Sequence, residues 1–255
     1  MTTLLVDIGN SRAKWAMARS TGISRMGAIV HEGNPAAMSA VIGRAPADVD
    51  RIVAVGVAGP RFERALAAAA ISRFGVRSEF VRSTRSAHGV RNGYRDPWRL
   101  GADRWVGVVG AHDLARGRAV LVANIGTALT LDAVGASGRH LGGAIVPGPE
   151  FMIESLLAGT HGIRRRARGD AANGARLFAS NTASAIAAGA RFAAAALIER
   201  AVEEAARSLG SRPLLLLTGG GAADVSRRIR VKRRVVPDLV LRGLAVFARG
   251  SAKGI

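Results

Sequence analysis

The sequence contains no cysteine. That absence removes disulfide staples, thiolate zinc sites, iron–sulfur ligation and a cysteine nucleophile together, and it suits a reducing compartment, so a cytoplasmic protein is expected. Aromatic residues are scarce as well, with one Tyr, three Trp and seven Phe in 255 residues. Proteins that grip single-stranded nucleic acid interleave basic and aromatic side chains so that bases can stack. The basic clusters here, Arg164–Arg168 and Arg227–Arg234, lack that interleaving. Lysine is nearly missing, 3 against 34 Arg, and acids are few enough to leave a net charge of +19. Such a field raises non-specific affinity for phosphates, which keeps a nucleic-acid partner in view as the lesser reading. The joint richness in Arg and Ala reads first as a codon bias, with the clusters as solvated surface.

Long hydrophobic runs are missing too. The most apolar stretch, Ile186 to Ile198, carries Arg191 and falls short of the ~20 residues a membrane-crossing helix needs. Asp7, Arg12 and Lys14 interrupt the N-terminal apolar run, so no secretory leader and no membrane partner are expected. The five His (His31, His88, His112, His140, His161) show no metal-ligand spacing and read as surface or loop residues. A Gly-x-Ser-x-Gly elbow is absent, so a hydrolase triad has no starting point.

What is present is an alternation of strands and helices. Leu4–Val6 and Ala13–Met17 read as two strands joined by a tight turn, Arg51–Val57 as a further strand and Phe62–Phe74 as a helix. Ser83–Trp98, with Gly, Asn, Tyr, Asp and Pro, reads as a long surface loop, which compact domains rarely keep without a use. Leu100–Leu114 looks helical. Ala119–Ala123 and Ala128–Val134 form a second strand–turn–strand, followed by His140–Val146, helices at Glu150–Leu157, Asn181–Ala206 and Ala222–Ile229, and a strand at Pro213–Thr218. Strand–turn–strand thus occurs at residue 4 and again at residue 119, a weak duplication of about 115 residues. Two α/β domains are expected, over residues 1–115 and 116–255, with a ligand cleft between them.

The chemistry concentrates at the strand ends. Asp7-Ile8-Gly9-Asn10-Ser11, with Lys14 beyond, places a carboxylate at the end of an apolar strand. An Asp there can hold hydrated magnesium, which takes one or two carboxylates plus substrate phosphates. Gly9 admits a phosphate close to the backbone, Asn10 and Ser11 with the turn N–H groups can donate to it, and Lys14 adds a mobile positive charge. Asn124-Ile125-Gly126-Thr127 repeats the pattern in the second half. Thr218-Gly219-Gly220-Gly221 follows a strand and precedes a helix, so Gly219 and Gly220 can leave room for a nucleotide against bare backbone. It does not complete a dinucleotide fingerprint.

Six segments in this order resemble type III pantothenate kinase: DIGNSRAK at Asp7–Lys14, GADR at Gly101–Arg104, GTALT at Gly126–Thr130, GGAIVPG at Gly142–Gly148, Asn181-Thr182, and TGG at Thr218–Gly220. The likeness runs from residue 4 to about residue 244. It implies the acetate and sugar kinase, chaperone ATPase and actin superfamily, with two ribonuclease H-like domains of duplicated topology. It further implies ATP-dependent phosphorylation of pantothenate to 4'-phosphopantothenate, the first step of coenzyme A synthesis. By motif, Asp7, Gly9, Asn10, Ser11 and Lys14 would bind ATP and magnesium, with Thr127 as a nucleotide contact. Asp103 would be the general base. Gly101, Ala102, Arg104, Tyr94 and Thr182 would contact pantothenate. The family has Asp where Asn124 stands and uses it to ligate an activating monovalent cation, K+ or NH4+; Asn keeps an oxygen and loses the charge. A homodimer is implied, with the helix after GADR at the subunit contact and Trp105, Val108 and Val109 on its apolar side. The other readings are a kinase for another hydroxylated substrate and a basic nucleic-acid-binding or regulatory protein that keeps the fold without turnover.

Overall fold

The computed structural model describes residues 2–19, 22–167 and 176–249. The chain forms two compact units: one from Met1–Gly117, Ser137–Leu141 and the C-terminal helix, the other from Arg118–Ala136 and Gly142–Pro237. Each unit is built around its own five-stranded sheet.

In the first unit the elements are β1 (Thr3–Ile8), β2 (Arg12–Arg19), β3 (Gly22–Val30), α1 (Ala37–Gly43), β4 (Arg51–Gly56), α2 (Pro60–Phe74) and β5 (Ser78–Phe80). They are followed by a two-residue hairpin, β6 (Ser86–Ala87) and β7 (Val90–Arg91), a 3-10 turn at Pro97–Arg99, and α3 (Ala102–Ala115). The sheet order is β3-β2-β1-β4-β5, with β1 antiparallel to β2 and parallel to β4. β1 is buried along its whole length, as expected of a central strand covered on both faces. Leu4, Val6 and Ile8 pack against Met38 and Val41 of α1 and Phe62 and Leu66 of α2. Each such fully buried side chain contributes roughly 1.5–3 kcal/mol.

The second unit holds β8 (Val120–Ile125), β9 (Ala128–Val134), β10 (His140–Pro147), α4 (Pro149–Gly159), α5 (His161–Arg166), α6 (Thr182–Leu209), β11 (Leu214–Thr218), α7 (Ala222–Ser226) and β12 (Arg233–Val235). Its sheet order, β10-β9-β8-β11-β12, reproduces that of the first unit strand for strand. Leu121, Ala123 and Ile125 meet Ala194, Ile198 and Val202 of α6. Asn181 caps α6 by accepting from the Ser184 N–H at 2.8 Å, which satisfies one of the free donors at a helix start.

The last helix, α8 (Leu239–Arg249), returns to the first unit and packs on α3. The contact is backbone to backbone: a Cβ at Gly110 would lie 2.7 Å from the Gly243 Cα, and one at Gly243 would lie 2.1 Å from the Val106 carbonyl. Trp105, Val108 and Val109 are therefore fully buried inside this unit. The apolar side expected to meet a second subunit is already occupied by α8, and the sequence reading of α3 is corrected on that point. Periodicity also extended the helix after TGG to Ile229, whereas α7 stops at Ser226. Of the basic cluster Arg164–Arg168, Arg168 lies outside the described residues. Among the described residues no helix is long and apolar enough to cross a membrane.

Candidate active site

The β1–β2 hairpin carries the first group of expected site residues. Its three-residue connection, Gly9–Ser11, is closed by the Gly9 N–H donating to the Arg12 carbonyl at 3.0 Å. Asp7 and Lys14 are register partners across the two strands. Asp7 is buried, and that burial pushes its carboxyl up to about 7; Lys14 pulls it down, and the charge of Asp103 pushes it up again. Asp7, Lys14 and Asp103 thus share one electrostatic neighbourhood within the first unit. A buried carboxylate with a second acid in range is poorly compensated by one ammonium group, which is the donor chemistry that suits a divalent cation.

His31, expected at the surface, is buried and holds this turn. Its Nε2 lies 2.8 Å from the Gly9 carbonyl, its Nδ1 accepts from the Gly33 N–H at 3.2 Å, and its own N–H donates to the Ser11 carbonyl at 3.2 Å. With Nδ1 accepting, Nε2 carries the proton and donates to Gly9. Sequence reasoning missed this residue because a lone His eight residues beyond a strand shows no spacing to read.

Asp103 and Arg104 open α3. Gly101 precedes the helix, and a Cβ there would come within 2.9 Å of the Asp103 Oδ1, so glycine clears the space the carboxylate occupies. The first helical turn carries free N–H groups and a positive dipole end, which favour an ionised acid. Indeed the Arg104 N–H donates to Asp103 Oδ1 at 2.8 Å. The Arg104 side chain is buried and donates through Nη1 to the Tyr94 hydroxyl at 2.9 Å, with its guanidinium 5.6 Å from the Tyr94 ring centroid. Tyr94 in turn stacks on His140, a second buried histidine, at 6.3 Å between centroids. The structure thus brings Tyr94, Gly101, Ala102, Asp103 and Arg104 together.

The long loop is held from within. Asn92 is buried; its amide donates to the Thr84 and Pro97 carbonyls at 3.2 and 3.1 Å, and its Oδ1 accepts from the Tyr94 N–H at 3.0 Å. Ser83 Oγ donates to the Leu100 carbonyl at 2.7 Å, anchoring the segment at the start of α3. Beside Tyr94 the loop and Arg139–Leu141 enclose a cavity of about 560 Å³.

The second unit places the remaining candidates. Asn124 is the penultimate residue of β8, as Asp7 is of β1, and pairs with Thr130 across β9 and with Thr218 on β11. The Gly126 N–H donates to the Ala128 carbonyl at 3.0 Å, and Thr127 accepts from the Gly148 N–H at 2.8 Å. Gly219 has φ +91°, and a Cβ there would lie 2.3 Å from the Ile125 carbonyl and 2.6 Å from the Asn124 Oδ1. Glycine is required at this position on both counts. Gly220, next in the turn, has open space around it. Thr182 is the first residue of α6, half-buried, beside the Asn181 cap. Asn124 therefore offers a neutral amide oxygen packed on the glycine turn. Among the described residues no group of three or more His, Cys, Asp or Glu side chains forms a metal site.

Residues 3–204 match the family model described as type III pantothenate kinase. The type III pantothenate kinase of Aromatoleum aromaticum is 39% identical over 98% of this chain and 98% of its own length. That of Nitrosococcus oceani is 37% identical over 98% and 95%. In fold, the chain resembles a ROK family glucokinase from Streptomyces griseus, solved with glucose and AMPPNP, with a TM-score of 0.56 at 11% identity over 97% and 99% of the two chains. With the duplicated sheets, the acid at the β1 end and the GADR helix start all in place, the chain belongs to the type III pantothenate kinase family.

Proposed function

We propose that this protein transfers the γ-phosphoryl group of ATP to the terminal hydroxyl of pantothenate, the entry step of coenzyme A synthesis. The observation that carries the reading is the placement of Asp103 at the start of α3, in electrostatic range of Asp7 and next to the Arg104–Tyr94 pair. A primary alcohol does not ionise at neutral pH, so its proton needs an acceptor during transfer. Asp103 is that acceptor and also orients the hydroxyl. The oxygen forms its bond to the γ-phosphorus, the bond to the bridging oxygen of ADP breaks, and the proton passes late to the carboxylate, as a loose transition state requires.

Asp7 and Lys14 flank the turn that receives phosphate oxygens, with Gly9, Asn10 and Ser11 providing backbone and side-chain donors. Magnesium held at Asp7 would neutralise charge on the phosphates. Thr127, Gly219 and Gly220 are the proposed nucleotide contacts of the second unit, and Thr182 its proposed pantothenate contact. Arg104 fixes Tyr94 beside the substrate. Asn124 gives K+ or NH4+ one neutral ligand, so activation by a monovalent cation is weak here. The family resemblance also supports a cytoplasmic homodimer, whose contact lies elsewhere than on the occupied apolar side of α3. Incubation with ATP, magnesium and pantothenate, followed by phosphorus NMR, tests the activity. Appearance of the phosphate monoester of pantothenate is expected, and ATP left intact would overturn the reading.

A further inference from the structure

Most described arginines that touch an acid are spoken for: Arg51 with Glu79, Arg82 with Glu63, Arg191 and Arg228 with Asp224, Arg242 with Asp238 and Arg249 with Asp113. The cavity beside Tyr94 is different. Arg85, Arg91, Arg95 and Arg139 line it together with Tyr94 and His140, and no Asp or Glu is among its walls. None of these four guanidinium groups has an acidic partner among the described residues.

The frame that carries them is fixed. Arg91 and Arg139 are bridge partners, and the Arg91 N–H donates to the Gly138 carbonyl at 2.9 Å. A Cβ at Gly138 would sit 1.9 Å from the Gly89 carbonyl, so the β6–β7 hairpin and the 137–141 segment are pressed together. The Gly93 N–H donates to His140 Nδ1 at 3.3 Å, which ties the Tyr94 end of the loop to the same wall. Uncompensated guanidinium groups on a rigid frame, facing a small cavity, are a receptor for a planar anion.

We propose that this cavity seats the carboxylate of the substrate, with Arg91 and Arg139 as the residues that determine its anion specificity. Tyr94 connects the two ends of the molecule: its ring lines the cavity, while its hydroxyl is bonded to Arg104, the neighbour of Asp103. A ligand with a hydroxyl at one end and a carboxylate at the other can reach both places, whereas an uncharged alcohol uses only the first. The inference rests on the pantothenate reading.

The test compares pantothenate with its alcohol analogue, in which a hydroxymethyl group replaces the carboxylate, using the native protein, Arg91→Gln and Arg139→Gln. Each substitution is expected to lower kcat/KM for pantothenate about ten-fold, through KM, as loss of a charged hydrogen-bond partner does. Turnover of the alcohol analogue and the KM for ATP stay unchanged, and Arg91→Lys restores part of the loss. Equal losses on both substrates, or none on either, would overturn the proposal. Calorimetric titration of pantothenate without ATP separates the two readings. Arg-dependent binding without turnover sinks the kinase assignment and keeps the cavity. Binding that ignores both substitutions, or no binding by the native protein, sinks the cavity.

Discussion

The turn after β1 and the turn after β8 are the same piece of topology put to different uses. Both follow the central strand of a five-stranded sheet with the same strand order. The first has a three-residue connection, a buried acid at its penultimate strand position and a lysine as that acid's register partner. The second has a two-residue connection, an amide in place of the acid and a threonine in place of the lysine. Where the first holds charge, the second holds close backbone contacts, with Gly219 pressed on Ile125 and Thr127 bonded to Gly148. Duplication thus supplies two equivalent frames. The residues at one position decide which frame handles metal and phosphate and which offers a neutral surface to the rest of a nucleotide.

Changing Asp7→Asn makes the first turn an electrical copy of the second, and it is expected to have the largest effect. Turnover should fall at least about 10²-fold, because the carboxylate ligand for the cation on the phosphates is gone. Stability of the metal-free protein should move the other way. Burial raises the Asp7 carboxyl from 3.8 to about 7, so its contribution is full below pH 3.8 and is lost as pH rises through about 7. The ionised group then costs up to about 4 kcal/mol. Thermal melts without magnesium should show Asp7→Asn close to native at pH 4 and clearly more stable at pH 8. A Tm difference that does not change with pH would contradict this origin of the raised value.

Gly219→Ala attacks the second turn through its packing. The added methyl meets the Ile125 carbonyl in a backbone conformation that side chains avoid, so a loss of roughly 1–3 kcal/mol is expected from chemical denaturation. If the turn serves the nucleotide, the KM for ATP rises while that for pantothenate holds. Asn124→Asp gives the second turn the charge of the first, and steeper activation by potassium should follow in turnover measured against KCl. Identical, strong activation of both proteins would remove the argument from the missing charge. The smallest effect belongs to His31→Ala. It removes one hydrogen bond to the Gly9 carbonyl and one acceptor for Gly33, worth about 1 kcal/mol each, and should raise the KM for ATP several-fold with kcat nearly kept.

Much of this difference is legible in the sequence, because strand-end motifs are local. DIGN and NIGT lie where apolar runs stop, and their separation predicts the repeated sheet order that the structure has. The glycine turn after β11 and the Asn181 cap are equally local. What escapes is whatever depends on distant partners. His31 gains its role only because β3 and the chain beyond it return to the first turn. α8 has a strong apolar face from Leu239 to Phe247, yet nothing in its own residues says that it crosses back to cover α3. For that reason Trp105, Val108 and Val109 read as an open face when they are core. The arginine-lined cavity escapes for the same reason, since Arg85, Arg91, Arg95 and Arg139 come from segments more than forty residues apart and look like ordinary surface charge.

The account rests most heavily on Asp103 as the group that takes the hydroxyl proton. Its direct test is ADP release measured with and without pantothenate for the native protein and for Asp103→Asn, with nucleotide affinity measured alongside. We expect release that needs pantothenate, falling by about 10²–10⁴-fold in the variant while ATP affinity is kept, in line with loss of a general base. Release that ignores pantothenate, or a variant that turns over as the native protein does, would contradict it.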